Sequence, residues 1–243
     1  ISNLRYNRIS IHNIKYMKKF LFSIALIFYL TSENSAHVDH YSKYKYLEYE
    51  LFRNNQLIGY HTYKFKRKND NLTIDNEVSF KITKLGIDLY KYYASGQERY
   101  TNGTFSGFNS STNQNKKEKY VNISIDPKDK NLIIDGSSFK GKVDKDKIIG
   151  TWWNHEIVKK KAQISAVSGR IIDQKVQFIG KEEVKIGEKT YKTLRFNFSS
   201  SDPSLSKDKK LNTDIWYEED TYLWVKAAFD KTGYWEYRLK KAE

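Results

Sequence analysis

Apolar and polar residues alternate along most of the chain after residue 44. This period of two is typical of a β-strand with one buried face. The clearest run alternates with polar residues at Leu72, Ile74, Val78, Phe80 and Ile82. Shorter runs cover residues 47–51, 121–125, 194–198 and 235–239. None of them has the i, i+3, i+4, i+7 spacing of an amphipathic helix, so we expect a mainly β protein.

Segments rich in Asn, Asp and Gly separate these runs and are predicted to be turns. Asn102-Gly103 is the strongest hairpin signal, because both central residues of such a turn favour positive φ. The exception is residues 145–160, where Ile148, Trp152 and His155 have helical spacing and Thr151 could cap a short helix. Residues 199–212 are Ser-, Asp- and Lys-rich and are expected to form an exposed loop.

The pattern indicates about ten to twelve strands, each with one apolar face, and these faces must be buried together. We therefore expect an antiparallel barrel, half-barrel or sandwich, whose interior could hold a lipid-sized ligand. A parallel α/β fold is disfavoured because no long helix lies between strands to make the crossovers. Residues 37–243 are predicted to form a single β-rich domain, which could divide loosely into halves at about residue 143.

The N-terminal region has the pattern of an export signal. Met17 is the only Met, and it precedes two lysines, an apolar run over residues 20–30 and small residues ending at Ala36. We expect residues 17–36 to be a signal peptide cleaved near Ala36, and residues 1–16 to be upstream translation. The apolar run is short for a transmembrane span, and the alternative is a buried N-terminal helix. The mature chain would be periplasmic or secreted, without a transmembrane segment.

The charge and the missing cysteines exclude several classes of function. The chain has 43 Lys and Arg against 29 Asp and Glu. The lysines are dispersed over turns and outnumber the arginines, so we expect no nucleic-acid binding, and only weak contact with an anionic envelope surface stays open. With no Cys, disulfides, thiolate metal sites and lipid-modified Cys anchors are excluded.

Familiar catalytic motifs are absent. The chain lacks G-x-G-x-x-G, the P-loop, H-E-x-x-H and G-x-S-x-G, so we expect neither a cofactor nor a resident metal. Cleavage after Ala36 would place His37 at the N-terminus, where with His40, His61 or His155 it could hold copper. A solvated terminus is the preferred interpretation, and His61 is expected to be a packed strand residue.

Two clusters are the candidate ligand-binding site. The first comprises Trp152, Trp153, Asn154 and His155. Two adjacent Trp residues cannot both face the core of a regular element, so one could cover a barrel mouth beside polar groups. The alternative is a core plug in which Asn154 caps the backbone.

The second cluster comprises Asp214, Trp216 and Tyr217, with Glu98 on another strand. If Asp214 pointed inward with Glu98, near His155, the group would resemble an acid–base apparatus. The alternative is structural pairing or solvent exposure of these carboxylates. No catalytic residue is assigned.

Short motifs across the chain add a resemblance to a known family. They are Leu57-Ile58-Gly59-Tyr60-His61, Glu98-Arg99-Tyr100 leading into Asn102-Gly103, Trp153-Asn154, Ile179-Gly180, Asp214-x-Trp216-Tyr217 and Glu236-Tyr237-x-Leu239. From about Tyr44 to Leu239 the chain resembles a bacterial family of exported proteins, a domain of unknown function numbered six-one-three-four. The resemblance implies a curled antiparallel β-sheet and no particular activity.

Three functional hypotheses remain. The first is a non-enzymatic β-barrel-like protein that binds an apolar or amphipathic envelope ligand or partner. The second is an envelope hydrolase or carbohydrate-active enzyme that uses Glu98, His155 and Asp214. The third is a purely structural envelope module.

Overall fold

The computed structural model describes residues 41–206 and 209–243, which contain fifteen strands and one 3₁₀ helix, His155–Lys159. The strands are β1 Tyr46–Arg53, β2 Gln56–Lys68, β3 Asn71–Lys84, β4 Ile87–Thr101, β5 Thr104–Gln114, β6 Lys117–Ile125, β7 Leu132–Gly136, β8 Lys140–Val143, β9 Ile148–Ile149, β10 Ala162–Ile164, β11 Ile171–Ile186, β12 Lys189–Ser200, β13 Asn212–Glu218, β14 Trp224–Asp230 and β15 Tyr234–Ala242. The predicted signal peptide lies outside the described residues. Within them, no helix has the length and apolarity needed to cross a membrane.

All fifteen strands form one sheet in the order β8-β7-β6-β5-β4-β3-β2-β1-β15-β14-β13-β12-β11-β10-β9. The prediction of a mainly β, antiparallel fold is confirmed. The sheet has more strands than the expected ten to twelve, because β7 to β10 are only two to five residues long and are too short to show alternation. One pair in the described chain, β9 with β10, is parallel.

The sheet consists of two meanders that meet where the first strand pairs with the last. Strands β1 to β8 follow one another in order, β9 to β15 do the same, and the antiparallel pair of β1 and β15 joins the two sets. The change from one set to the other falls between Val143 and Ile148.

The sheet curls so that its two edges, at β8 and at β9, approach each other without pairing as strands. Phe108, Val121 and Ile123 from β5 and β6 share a buried cluster with Ile149 and Ile164 from β9 and β10. Nearby, the backbone N–H of residue 138 donates to the carbonyl oxygen of residue 168, 2.8 Å away. The result is a barrel-like but open sheet, because side-chain packing rather than a strand ladder covers the gap.

The main core is aromatic and draws on both meanders. Tyr49, Tyr63, Trp153, Tyr217 and Trp224 are completely buried in it. The rings of Tyr49 and Trp224 stack at 4.0 Å, which joins β1 to β14 across the interior. These side chains bury a large apolar area each, and this burial is the main source of stability in a chain without disulfides.

Local sequence patterns predicted the Asn102-Gly103 turn correctly, but they predicted too long a helix over residues 145–160, where packing against distant strands determines the conformation. Asn102 and Gly103 have φ values of 50° and 70°, as the hairpin prediction requires. The predicted helix over 145–160 is reduced to one 3₁₀ helix, and its cap is Asn154 rather than Thr151. The segment between β12 and β13 is largely exposed, as expected, in its described residues.

Candidate functional site

Residues 151–160, here called the plug, fill one end of the curled sheet. Trp153 is completely buried there and meets Tyr41, Phe65 and Tyr100 edge to face at 5.4 to 5.9 Å. Its indole Nε1–H donates a hydrogen bond of 2.9 Å to Oε1 of Glu98. Trp153 is therefore a core residue with a satisfied polar atom, and it does not cover an open mouth.

Glu98 points into the same end of the interior and is only 1% exposed. Its Oε2 accepts a hydrogen bond of 3.0 Å from the hydroxyl of Tyr100. Burial raises the pKa of the Glu98 carboxyl, because the apolar surroundings disfavour the charged form, while the donors Trp153 and Tyr100 act against this rise. Both carboxyl oxygens thus have partners within the core.

Trp152 also faces inward, because its backbone leaves the regular pattern. Its φ is 58°, a left-handed conformation that turns the chain and lets two adjacent Trp side chains enter one interior. The carbonyl oxygen of Trp152 accepts from the Tyr217 hydroxyl at 2.8 Å, and that of Thr151 accepts from the Tyr63 hydroxyl at 2.5 Å. The ring of Trp152 meets Trp224 and Tyr237 edge to face.

Asn154 and His155 complete the plug. The side chain of Asn154 accepts a hydrogen bond of 3.1 Å from the backbone N–H of Glu156 and so caps the 3₁₀ helix. The imidazole of His155 stacks on Tyr222 at 4.5 Å between ring centroids, and its Nε2 lies 3.4 Å from Oε1 of Glu156. Both side chains are buried. The core-plug interpretation of Trp152 to His155 therefore describes the geometry.

Asp214 and Trp216 lie on the outer face of β13, so the hypothesis that Asp214 points inward with Glu98 is wrong, and the alternative of structural pairing describes Asp214. Thr213, Ile215 and Tyr217 take the inner face of this strand. Because these three residues are buried on the inner face and side chains alternate along a strand, the residues between them point outward.

On that outer face, Asp214 accepts hydrogen bonds from Arg195 at 2.5 Å and from Asn197 at 2.7 Å. The cations of Arg195 and Lys226 each lie 5.0 Å from the ring centre of Trp216. These contacts make a polar cross-strand network. Since Asp214 is on the opposite face from Glu98, the three carboxylate and imidazole groups of the hydrolase hypothesis do not converge.

A cavity of about 470 Å³ opens at the other end of the interior. We call it the aromatic cup. It is lined on one side by the hairpin of β3 and β4 and on the other by the hairpin of β14 and β15. The lining residues are Phe80, Ile82, Tyr90, Tyr92, Gln114, Phe229, Lys231, Thr232, Trp235 and Tyr237.

Ring packing defines the walls of the aromatic cup. Phe80 stacks on Tyr92 at 4.8 Å, and Phe229 stacks on Trp235 at 5.9 Å. Phe80 and Trp235 meet edge to face at 5.2 Å and so connect the two walls. Gly59 on β2 permits this arrangement, because a Cβ at that position would lie 2.5 Å from the Cβ of Phe80.

The lower part of the aromatic cup contacts the core through Tyr237, whose ring lies 5.6 Å from that of Trp152 and 5.9 Å from that of His61. His61 is buried, as expected for a packed strand residue, and burial lowers its pKa to about 3, so the ring is neutral at pH 7. Its Nδ1 and the Nε1 of Trp224 have no hydrogen-bond partner among the described residues.

No cluster of His, Asp and Glu that could hold a metal occurs in the described part of the chain.

Sequence reasoning missed the aromatic cup. Apart from Gln114 on β5, its residues are distributed over two hairpins that are far apart in the chain and belong to different meanders. The signal that was present is the aromatic row at positions 80, 90, 92, 235 and 237 near strand ends. Alternation shows that such residues share a face, but it cannot show that the face is left uncovered.

Comparisons with known proteins give a family and a fold. Residues 49–240 match the family model described as Domain of unknown function (DUF6134). A search of curated proteins finds no match. Among solved structures, a beta-barrel-like protein of domain of unknown function DUF1849 from Brucella abortus is similar, with a TM-score of 0.57 and 11% sequence identity, over 82% of this chain and 96% of that chain. The chain therefore belongs to the DUF6134 family, and its fold is beta-barrel-like.

Proposed function

We propose that this DUF6134 protein binds an amphipathic ligand, with the apolar part of the ligand inside the aromatic cup. The observation that carries the proposal is the cavity itself: about 470 Å³ of space, walled by Phe80, Tyr92, Phe229 and Trp235, at the end of the interior opposite the plug. Cavities of this size with mostly apolar walls and a few polar groups are typical ligand sites.

The distribution of polar groups supports an amphipathic rather than a purely apolar ligand. Gln114, Lys231 and Thr232 line the aromatic cup beside the aromatic residues. Lys231 and Thr232 belong to the turn between β14 and β15, so they lie where the cavity meets solvent. A ligand with a hydrocarbon portion would place it against the rings and keep its polar group at this rim.

At the opposite end of the interior, the side chains proposed from the sequence already have partners within the protein. Trp153, Asn154 and His155 of the plug and Glu98 of β4 are buried, and each is hydrogen-bonded or stacked within the protein. The proposal therefore moves the ligand site from the Trp152–His155 segment to the aromatic cup. Trp152 keeps an indirect part, through its edge contact with Tyr237.

The pattern over residues 17–36 supports an exported protein, so we place this binder in the periplasm or outside the cell. A lipid of the envelope would then be the available ligand class. The expected cleavage near Ala36 stays a prediction.

Native mass spectrometry of the protein purified from a periplasmic fraction tests the ligand and the export together. We expect a bound mass that organic extraction removes, and a mature N-terminus near His37. Titration with the apolar dye N-phenyl-1-naphthylamine gives the affinity of the aromatic cup.

A matched pair of variants locates the binding. Ile82→Trp adds a ring inside the aromatic cup and should weaken dye binding at least about tenfold, because the added ring occupies the site. Ile179→Trp makes the same change at an exposed position of β11 and should leave binding unchanged. Absence of any bound lipid and of dye binding, or equal affinities of both variants and the wild type, would show the proposal to be wrong.

A further inference from the structure

The hairpin of β3 and β4 projects beyond the sheet. The pairing of β2 with β3 ends at Gly59 and Phe80, and the pairing of β4 with β5 begins at Tyr92. Beyond these points the two strands pair with each other. Among the described residues, only the Lys91 carbonyl oxygen in this stretch accepts a further backbone hydrogen bond, from Asn115. About four residues per strand extend past the neighbours, which is about 13 Å at roughly 3.3 Å per residue.

The end of this hairpin exposes aliphatic side chains. We call residues 81–91 the tip. Leu85 is 93% exposed, Ile87 66% and Leu89 54%. Three large aliphatic side chains that are mostly in water, next to one another on a projecting element, need a partner to be favourable.

Lysines surround these aliphatic residues. The tip carries Lys81, Lys84 and Lys91 against one acidic residue, Asp88, which pairs with Lys81 at 3.7 Å and with Lys91 at 3.1 Å. The adjacent hairpin of β5 and β6 adds two exposed lysines at residues 116 and 117, followed by the exposed Glu118. The hydrogen bond from Asn115 places this hairpin beside Lys91. The tip therefore has an apolar end and a cationic collar.

We propose that the tip inserts into the surface of an anionic lipid bilayer. Apolar side chains flanked by lysines suit the boundary between headgroups and acyl chains, where aliphatic groups reach about 5 to 10 Å deep and lysine stems keep their charges among lipid phosphates. Each lysine near an anionic surface adds to the attraction. The projection of about 13 Å is sufficient for this depth.

A second copy of the chain fits the tip less well. A stable interface buries about 800 Å² on each partner, which three aliphatic side chains on a narrow hairpin cannot supply. The charged residues on both strands also oppose edge-to-edge pairing of two hairpins.

The position of the tip gives the insertion a consequence for the interior. Phe80, Ile82, Tyr90 and Tyr92, which line the aromatic cup, lie on the same two strands. A tip inserted in lipid holds the open end of the interior against the membrane surface. Membrane binding itself needs no ligand in the aromatic cup, so its test is independent of the proposed function.

Sedimentation of the full chain with lipid vesicles tests the insertion. The probes are vesicles of phosphatidylcholine and of phosphatidylcholine mixed with phosphatidylglycerol. We expect binding to the mixed vesicles, weakened by high salt because screening shortens the reach of the lysine charges.

The tip variant is Leu85→Asn with Ile87→Thr and Leu89→Thr. Leu85 has a φ of 50°, which Asn tolerates better than Leu, and Thr suits a strand, so the fold should be retained. Its affinity for mixed vesicles should fall at least about tenfold, because apolar contacts with lipid are lost. The control is Phe178→Thr with Ile179→Thr, which removes two exposed apolar side chains of β11 and should change affinity by less than about twofold.

Three results would overturn the proposal. They are no binding of the wild type to mixed vesicles, equal binding by the wild type and the tip variant, and a dimer in analytical ultracentrifugation that depends on the tip while vesicles are not bound. The last result would identify a second copy of the chain as the occupant.

Discussion

Two buried carboxyl groups show how the partners of a residue decide its charge. Glu98 accepts hydrogen bonds from the neutral donors Trp153 and Tyr100, and burial raises its pKa. For Glu236, burial also acts to raise the pKa, but ion pairs with Lys226 and Arg238 outweigh it, and the pKa is lowered. The inner face thus holds an acid that favours its neutral form, and the outer face holds one that favours its charge.

Glu98→Gln should make the free energy of unfolding of the protein less sensitive to rising pH. The folded-state pKa of Glu98 lies above its unfolded value of about 4.3, so its contribution to stability is complete below that value and is lost as pH rises through the folded pKa. The variant removes this loss and keeps a side chain of the same shape.

Urea unfolding between pH 4 and pH 8 measures the effect. The free energy of unfolding of the variant, relative to wild type, should increase with pH by up to about 1.4 kcal/mol per pH unit within that window. Glu183→Gln, at an exposed position of β11, should show no such trend. A difference between Glu98→Gln and wild type that stays constant with pH would contradict the expected pKa direction.

At the scale of elements, the plug is held by contacts from distant strands rather than by its own helix. Its one 3₁₀ helix has five residues, which is too short to be stable alone. Hydroxyls of Tyr63 on β2 and Tyr217 on β13 donate to its backbone, and the Gln174 side chain of β11 donates to the carbonyl oxygens of Ile157 and Lys160. These donors satisfy backbone groups that a longer helix would satisfy internally.

Removing the two tyrosine hydroxyls should loosen the plug without unfolding the protein. Tyr63→Phe and Tyr217→Phe should each lower the free energy of unfolding by about 0.5 to 1.5 kcal/mol, because each leaves a buried carbonyl oxygen without this donor. In the double variant, amide hydrogen exchange over residues 151–160 should increase more than elsewhere in the chain.

Tyr120→Phe is the matched control, because the Tyr120 hydroxyl bonds Asp135 at an exposed site and its loss should change stability by less than about 0.5 kcal/mol. Unchanged exchange in the plug of the double variant would show that the hydroxyls do not hold it.

For the whole molecule, the pair of β1 and β15 is the main connection between the two meanders. These strands are paired from Leu47 to Arg53 on β1 and from Ala242 to Trp235 on β15. The cores of both meanders also interleave, since Tyr49 and Tyr63 from the first pack on Trp224 from the second. Each meander alone would expose an unpaired edge and half of this aromatic core.

Splitting the chain between Lys145 and Asp146 should give two fragments that fold only together. This position lies between β8 and β9, which are not paired with each other. We expect fragments 1–145 and 146–243 to form a one-to-one complex with the circular dichroism of the intact protein, and each fragment to be unfolded or aggregated when separate. A stable sheet in either fragment alone would refute the dependence on the β1–β15 pair.

Particular residues show how far sequence reasoning reaches. Alternation places Tyr49, Ile74 and Phe198 on apolar faces, and all three are buried. Asp214 was a different case, because alternation puts it on one face with Trp216 and leaves open which face is inside. The structure places this face outside, where Arg195 and Lys226 lie over the ring of Trp216. The sequence around Trp216 cannot show that neighbouring strands place two cationic side chains against its ring.

Local sequence is sufficient to predict the mainly β class and strict turns such as Asn102-Gly103, because period-two alternation and positive-φ turn residues are local properties of the chain. The family resemblance rests on short motifs along the chain. Tertiary structure alone decided that the sheet stays open, that Trp152 to His155 close one end, and that Phe80, Tyr92, Phe229 and Trp235 surround a cavity at the other. Each of these depends on contacts between strands that are far apart in the chain, and sheet curvature determines which of them meet.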